Sequence, residues 1–130
     1  MDAAARRRLV AAARAVRKRA YAPHSNFLVG AAVLDGRGRI HVGCNVENAS
    51  FGLTICAERN AVAAAVAAGA RRLRGVAVVT ATRPPGTPCG ACHQILAEFN
   101  TDNLPVLLAA PTGAVEETPL GALLPRAFRL

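Results

Sequence analysis

The pattern of apolar and polar positions divides the first third of the chain into one helix and a pair of strands. An unbroken stretch of helix formers at residues 2–20 places its apolar side chains on one face and predicts a first helix. Residues 27–34 are almost continuously apolar, which is typical of a central strand. A glycine-containing turn at 35–38 leads into the alternating residues 39–44, so these two strands should form an antiparallel hairpin.

The remaining two thirds of the chain are predicted to contain both helices and strands. An alanine-rich helix is predicted at 56–68 and an amphipathic helix at 89–99, while the long polar stretch 45–55 is expected to be a functional loop. Three further strands and a short last helix are predicted at 75–82, 105–110, 115–118 and 120–124. A strand, helix and strand in succession predict a right-handed parallel crossover. The pattern therefore predicts an α/β fold, a three-layer α-β-α sandwich with a mixed five-stranded sheet.

Length and composition predict a single domain over residues 1–130 that gains stability by association. A chain of 130 residues can bury about two-thirds of its unfolded surface. Aromatic residues make up only 4% of it, and much of the apolar fraction is alanine, so the core buries little area per residue. We therefore expect an oligomer.

Net charge and cysteine usage indicate which cellular compartment and which classes of partner the sequence favours. Four cysteines, of which three fall in two short stretches, do not form a disulfide framework and suggest a reducing compartment. No apolar run is long enough to span a membrane, and the arginine-rich N-terminus is interpreted as a helix rather than a leader, which predicts a cytoplasmic protein. The net charge of +8 could indicate a nucleic-acid surface, but no aromatic residues interleave with the arginines to stack bases. A solvated helix face is therefore the favoured interpretation over a nucleic-acid partner.

The spacing of three cysteines predicts a metal site. Cys89 and Cys92 are two residues apart, which allows one turn of chain to direct both thiolates at a zinc ion, and Cys56 would supply the third ligand. Three protein ligands leave one tetrahedral position open, as in a catalytic site. Glu58 stands two residues after Cys56, where a carboxylate can move protons to and from a water on the open side. Cys56 and Cys89 both fall at predicted helix N-termini, which favour thiolates.

A structural four-cysteine site that includes Cys44 is the alternative from a different class, a zinc-stapled binding module. Such sites normally contain two closely spaced pairs, whereas this chain has one. Cys44 is therefore interpreted as a small buried side chain.

These motifs resemble those of the zinc-dependent nucleobase deaminases, and in particular the small homotetrameric cytidine deaminases. The sequence Cys56-Ala57-Glu58 followed by Pro88-Cys89-Gly90-Ala91-Cys92 is similar to the deaminase signature. Other matching pieces extend the resemblance over almost the whole chain: Tyr21-Ala22-Pro23, Ser25, Phe27, Val29-Gly30-Ala31-Ala32, Gly43-Cys44-Asn45-Val46-Glu47-Asn48-Ala49, Arg59, and Leu123-Leu124-Pro125 with Phe128.

The resemblance implies hydrolytic deamination of cytidine and 2′-deoxycytidine to the uridines, with release of ammonia, in pyrimidine salvage. One zinc per subunit would be held by Cys56, Cys89 and Cys92, and Glu58 would carry protons between water and N3 of the cytosine ring. Arg59 is similar to the family arginine that contacts the ligand sulfurs. The implied substrate contacts are Phe27, Asn45, Glu47, Phe51, Ala57 and Phe128, within a homotetramer whose active sites are shared between chains.

Three positions depart from the family pattern, and two related activities remain open. His24 and Phe51 replace tyrosines, and His93 replaces an arginine, which removes a permanent charge beside Cys92. The chain could instead deaminate a modified or antibiotic cytosine nucleoside, or a polynucleotide. In polynucleotide deaminases a helix separates the last two strands, whereas here only a turn near residues 111–114 does, so these strands should be antiparallel.

Overall fold

A computed structural model describes residues 1–100 and 103–130 and contains one mixed β-sheet between two helical layers. The strands are β1 (Gly30–Asp35), β2 (Ile40–Cys44), β3 (Leu73–Val79), β4 (Pro105–Ala109) and β5 (Val115–Pro119). The α-helices are α1 (Ala3–Arg17), α2 (Ala57–Ala67), α3 (Gly90–Glu98) and α4 (Leu120–Leu123), and a short 3₁₀ helix spans Phe51–Leu53. The predicted fold class is confirmed.

The sheet has the strand order β2-β1-β3-β4-β5 and a single parallel pair. β1 pairs antiparallel with both β2 and β3, β3 pairs parallel with β4 across the α3 crossover, and β4 pairs antiparallel with β5. The antiparallel β4–β5 pair follows from the short turn between the strands, as predicted from the sequence. Parallel strands β3 and β4 place the N-terminus of α3 at the carboxyl end of β3.

Two apolar clusters, one on each face of the sheet, form the core. On one face α2, α3 and α4 pack against the sheet around Val33, Val76 and Leu96. On the other face α1 packs through Leu9, Val10 and Ala13. None of the helices in the described part of the chain combines the length and the apolarity that crossing a membrane requires.

Some element boundaries differ from the sequence-based prediction. The first helix ends at Arg17 rather than near residue 20, and the first strand begins at Gly30 rather than at Phe27. The strand begins late because the Asn45 side chain, not a neighbouring strand, satisfies the backbone there: its amide accepts from the N–H of Val29 at 2.9 Å and donates to the carbonyl of Phe27 at 2.8 Å.

Asp35 fixes the turn between β1 and β2. Its carboxylate accepts hydrogen bonds from the backbone N–H groups of Arg37 and Arg39, and the His41 ring lies 2.8 Å from its other oxygen. Burial raises the pKa of Asp35, but these hydrogen bonds outweigh it and lower the pKa to about 2. The turn is thus held by an ionised, buried carboxylate.

Two glycines let the helices approach the sheet closely. A Cβ atom on Gly30 would stand 2.1 Å from the carbonyl oxygen of Ala13 in α1. A Cβ atom on Gly43 would stand 2.4 Å from the backbone nitrogen of Ala61 and 2.6 Å from the carbonyl of Ala57, both in α2. Because these neighbours are backbone atoms, a side chain at either position would have to displace the whole helix.

We predict that Gly43→Ala destabilises the protein by roughly 1–3 kcal/mol, the usual cost of overpacking. Gly52→Ala is the matched control, since a Cβ there meets nothing within 4 Å. Thermal unfolding of the two variants measures the difference. Equal melting temperatures would show that α2 does not depend on close packing at Gly43.

Candidate active site

Three cysteine sulfurs converge where the N-termini of α2 and α3 meet. The ligand atoms of Cys56, Cys89 and Cys92 all lie within 4.8 Å of one another, and the sulfurs of Cys89 and Cys92 are 3.5 Å apart. Cys56 is the N-cap of α2 and Cys89 the N-cap of α3, while Cys92 is buried in the first turn of α3. The predicted three-cysteine set is therefore brought together, and Cys44 is not part of it.

This sulfur cluster fits one zinc ion. Tetrahedral zinc with Zn–S bonds of about 2.3 Å requires sulfurs about 3.8 Å apart, close to the arrangement seen here. The two helix N-termini add partial positive charge that favours thiolates. Hydrogen bonds from the thiols of Cys92 and Cys89, together with the charge of Arg59, lower the pKa of Cys56 to about 6, whereas the same contacts and burial raise the pKa of Cys92. A shared cation would relieve this competition among the three thiols.

Glu58 lies in the first turn of α2 and is 5% exposed. Burial is the main cause that raises the pKa of its carboxyl group, and the nearby Cys56 raises it further. Ala57, which precedes it, is fully buried. The first turn of α2 thus presents an acid–base group beside the sulfur cluster without adding a fourth protein ligand.

The two basic side chains next to the cluster differ in the positive charge that they supply. Arg59 donates to the carbonyl of Thr54 at 3.2 Å, and its charge helps to lower the pKa of Cys56, so its effect on the sulfurs is electrostatic. His93 is 8% exposed, its Nε2 atom has no hydrogen-bond partner among the described residues, and burial lowers its pKa. His93 therefore supplies little positive charge, and Arg59 and the helix N-termini carry that role.

The polar loop between β2 and α2 holds the candidate ribose contacts. The carboxylate of Glu47 accepts from the N–H groups of His24 and Ser25, at 2.9 and 3.1 Å, and from the hydroxyl of Ser25. These hydrogen bonds, above all that from the hydroxyl, lower the pKa of Glu47 and keep it ionised. The side chain of Asn45 is 7% exposed and braces the backbone that carries Phe27.

Three candidate aromatic contacts are exposed in the single chain. Phe27, Phe51 and Phe128 are 43%, 74% and 69% exposed. Phe51 meets the ring of His24 edge-on, with centroids 6.0 Å apart, so the two residues that replace family tyrosines contact each other. The backbone carbonyl of Phe128 accepts from the side chain of Gln94 in α3 at 2.9 Å, which fixes the C-terminal segment to the helix that bears Cys92.

Several residues that support the site were not identified from the sequence. Buried Thr80 accepts a hydrogen bond from the N–H of Gly86 at 2.8 Å and so fixes the loop that leads to Cys89. Ser25 clamps Glu47, and Arg129 donates to the carbonyls of Ala97 and Asn100 at the end of α3. Ser25 was noticed only as part of the family pattern. Thr80 and Arg129 have no such signal, because their partners are backbone atoms that only the fold brings near.

A protein-family profile matches most of the chain. The sequence profile described as "Cytidine and deoxycytidylate deaminase zinc-binding region" matches residues 4–108. The chain therefore belongs to this family of zinc-binding deaminases, and zinc is its metal, as the sequence predicted.

The individual proteins that the chain resembles are named cytidine deaminases. The chain is 46% identical to a cytidine deaminase of Sporosarcina psychrophila over 121 residues, which cover 93% of this chain and 89% of the relative. The crystal structure of cytidine deaminase from Burkholderia pseudomallei superposes with a TM-score of 0.90 at 48% identity, covering 98% of this chain and all of the other. Cytidine deaminase from Mycobacterium tuberculosis superposes with a TM-score of 0.83 at 41% identity, over 95% and 97% of the two chains.

We predict that Cys44→Ser retains one zinc per chain, because Cys44 lies outside the sulfur cluster, whereas Cys92→Ser loses most of it. Elemental analysis of the two purified variants measures the difference. Loss of zinc in Cys44→Ser would show a four-cysteine structural site.

Proposed function

We propose that this chain is a zinc-dependent deaminase of cytidine and 2′-deoxycytidine that acts as one catalytic domain over residues 1–130. The observation that carries the proposal is the placement of Glu58, buried, beside three sulfurs that leave one side of a zinc site open. Pyrimidine nucleoside salvage is the corresponding role. Relatives named cytidine deaminase, similar along most of the chain, support the choice of substrate.

The chemistry is divided between the metal and the protein. Cys56, Cys89 and Cys92 would hold the zinc, which when bound supplies a Lewis acid that activates water near neutral pH. Glu58 accepts the proton of the attacking water and delivers it to N3 of the cytosine ring. The water oxygen bonds to C4 as a hydroxyl group. Glu58 then takes the proton of this hydroxyl group and passes it to the exocyclic nitrogen, the bond from C4 to that nitrogen breaks, and ammonia departs. The product is the corresponding uracil nucleoside.

The remaining site residues bind and orient the nucleoside. A carboxylate has about four lone-pair sites, so Glu47, which accepts three hydrogen bonds from its own chain, can still accept one from a ribose hydroxyl. Asn45 retains one amide hydrogen for the sugar while it positions Phe27 against the base. Ala57 forms part of the floor beside Glu58, and Phe51 and Phe128 close the pocket.

We also propose a homotetramer with shared active sites, in the cytoplasm. Exposed apolar side chains surround the loop that carries Glu47: Tyr21, Val46, Phe51 and Leu53 are 58%, 45%, 74% and 64% exposed. A patch of this kind at the mouth of a site supports association there. A reducing compartment would keep the three ligand thiols available for zinc.

Two related activities are alternatives. A polynucleotide deaminase would use the net charge of +8, but the antiparallel β4–β5 pair favours the nucleoside branch. A modified or antibiotic cytosine nucleoside is the closer rival. The test is ammonia release over a panel of free nucleosides and a single-stranded oligonucleotide. We expect cytidine and 2′-deoxycytidine to be the best substrates, and preference for the oligonucleotide would overturn the proposal.

We predict that Glu58→Gln keeps zinc but loses activity toward cytidine by at least the roughly 10²–10⁴-fold that general acid–base catalysis provides. The amide matches the carboxylate in size but cannot carry the proton. Glu98→Gln, at an exposed position of α3, is the matched control and should retain full activity. Near-parental turnover by Glu58→Gln would remove Glu58 as the proton carrier.

We predict that Phe128→Ala raises the Michaelis constant for cytidine by roughly 5- to 150-fold, since stacking an aromatic ring on a base contributes about 1–3 kcal/mol. Zinc content should not change.

Light scattering of the parent protein should give a mass near four times the subunit mass of 13.4 kDa. A fully active monomer, or unchanged kinetics in the variant, would contradict the shared site.

A further inference from the structure

A groove of about 920 Å³ runs along α1 on the face of the sheet opposite the cysteine cluster. One wall is α1 from Ala3 to Lys18, and the other is formed by Leu107, Pro111, Val115 and Glu117 of β4, β5 and the turn between them. Neither the zinc site nor the substrate contacts reach this groove. It is therefore a feature that deamination does not use.

The groove exists because one helix covers only part of a five-stranded sheet. Strands about 4.8 Å apart make the sheet roughly 24 Å wide, whereas a helix is about 10–12 Å across. Within the described residues, α1 is the only helix on this face and packs mainly over β1, β2 and β3. No helix of the described residues covers the strip beside it, over β4 and β5, and the side chains of Arg6 and Arg14 cross this strip.

The lining of the groove combines an apolar floor with strong positive charge. Ala11, Ala15 and Val115 provide exposed apolar surface, and Val115 is 42% exposed. Five cations line the groove, against the single carboxylate of Glu117: Arg6, Arg7, Arg14, Arg17 and Lys18. The groove is thus complementary to a surface that is apolar at its centre and acidic at its edges.

Hydrogen bonds hold three of these arginines in place. Arg14 donates to the carbonyls of Ala110 and Gly113, at 3.1 and 2.9 Å, and thereby spans from α1 to the turn after β4. Arg17 donates to the carbonyl of Leu28 at 3.0 Å, and Arg6 pairs with Glu117 at 2.8 Å. Each guanidinium has five N–H groups, so donors remain for an acidic partner while the side chains pay little further ordering entropy.

Charge distinguishes between the occupants that could fill this space. A second copy related by a twofold axis would bring five cations against five, which is unfavourable. Single-stranded nucleic acid prefers exposed aromatic side chains on which to stack, and the groove lining contains none. An acidic helix satisfies the cations and also covers the apolar floor.

We propose that this groove is a docking site for an acidic amphipathic helix of a partner protein. The helix lies beside α1, with its apolar face over Ala11, Ala15 and Val115 and its carboxylates against Arg7, Arg14 and Lys18. It completes the helical layer that α1 begins. The proposal is independent of the deaminase activity.

The test uses a synthetic helical peptide of 15 residues, the length of α1, with leucines on one face and glutamates flanking them. A second peptide has the same composition in an order that abolishes the apolar face. Fluorescence anisotropy at physiological salt should show that the first peptide binds the zinc-loaded protein with a dissociation constant at or below ~100 µM, as for a transient interaction. The reordered peptide should bind at least ~10-fold more weakly.

Charge-matched variants locate the binding. Arg7→Glu with Lys18→Glu reverses the charge of two exposed side chains in the groove and should weaken binding of the amphipathic peptide by ~10-fold or more. Arg37→Glu with Arg39→Glu makes the same charge change in the β1–β2 turn and should have little effect. Val115→Ser should weaken binding of the amphipathic peptide but not binding of the reordered peptide. All three variants should deaminate cytidine as the parent does, which verifies folding.

Three results would overturn the proposal. No binding of the amphipathic peptide would show that the groove is not a helix site. Equal binding of the two peptides would show a general anionic attraction. Tighter binding of a single-stranded oligonucleotide than of the peptide, lost in the Arg7/Lys18 variant, would identify the groove as a nucleic-acid surface.

Discussion

Three sulfur atoms must stand within reach of one cation, and the architecture around the sheet meets that requirement. Two of the sulfurs lie at the N-terminus of α3, which follows β3 after the loop at residues 80–89, and the third lies at the N-cap of α2. The N-termini of both helices point to the same place because α2 and α3 pack side by side on one face of the sheet. Gly43 permits α2 to approach β2 closely enough, and the Thr80–Gly86 hydrogen bond holds the loop before Cys89. The chemistry therefore depends on close packing some distance from the metal.

The structure brings the three cysteines and Glu58 together, whereas two of the proposed substrate contacts, Phe51 and Phe128, are exposed. Glu58 and the ligand sulfurs lie on helices, the most rigid parts of the fold, whereas Phe51 and Phe128 lie on a short 3₁₀ helix and in the C-terminal segment. Their rings are exposed in one chain, which accords with a pocket finished by neighbouring subunits. His24 and Phe51 contact each other edge-on, so the two departures from the family pattern lie together beside the loop that carries Glu47.

Sequence patterns predicted the sheet and the zinc ligands well because both depend on local signals. Periodicity and turns located every strand, and the spacing of Cys89 and Cys92 with the Cys56-Ala57-Glu58 stretch located the cluster. The start of β1 was misplaced because the Asn45 side chain, distant in sequence, replaces a strand there. Arg59 donates to the carbonyl of Thr54, a backbone contact for which the sequence contains no signal. The half-covered sheet beside α1 could not be read from the sequence, since it depends on how many strands one helix spans.

An open three-sulfur zinc site differs from a closed structural site in the ligands that surround the metal. X-ray absorption at the zinc edge of the purified enzyme measures the number and type of ligands. We expect three sulfurs at about 2.3 Å and one lighter oxygen or nitrogen ligand at about 2.0–2.2 Å. Four sulfurs in the zinc shell would contradict it, because a closed site of that kind leaves no position for the reacting water.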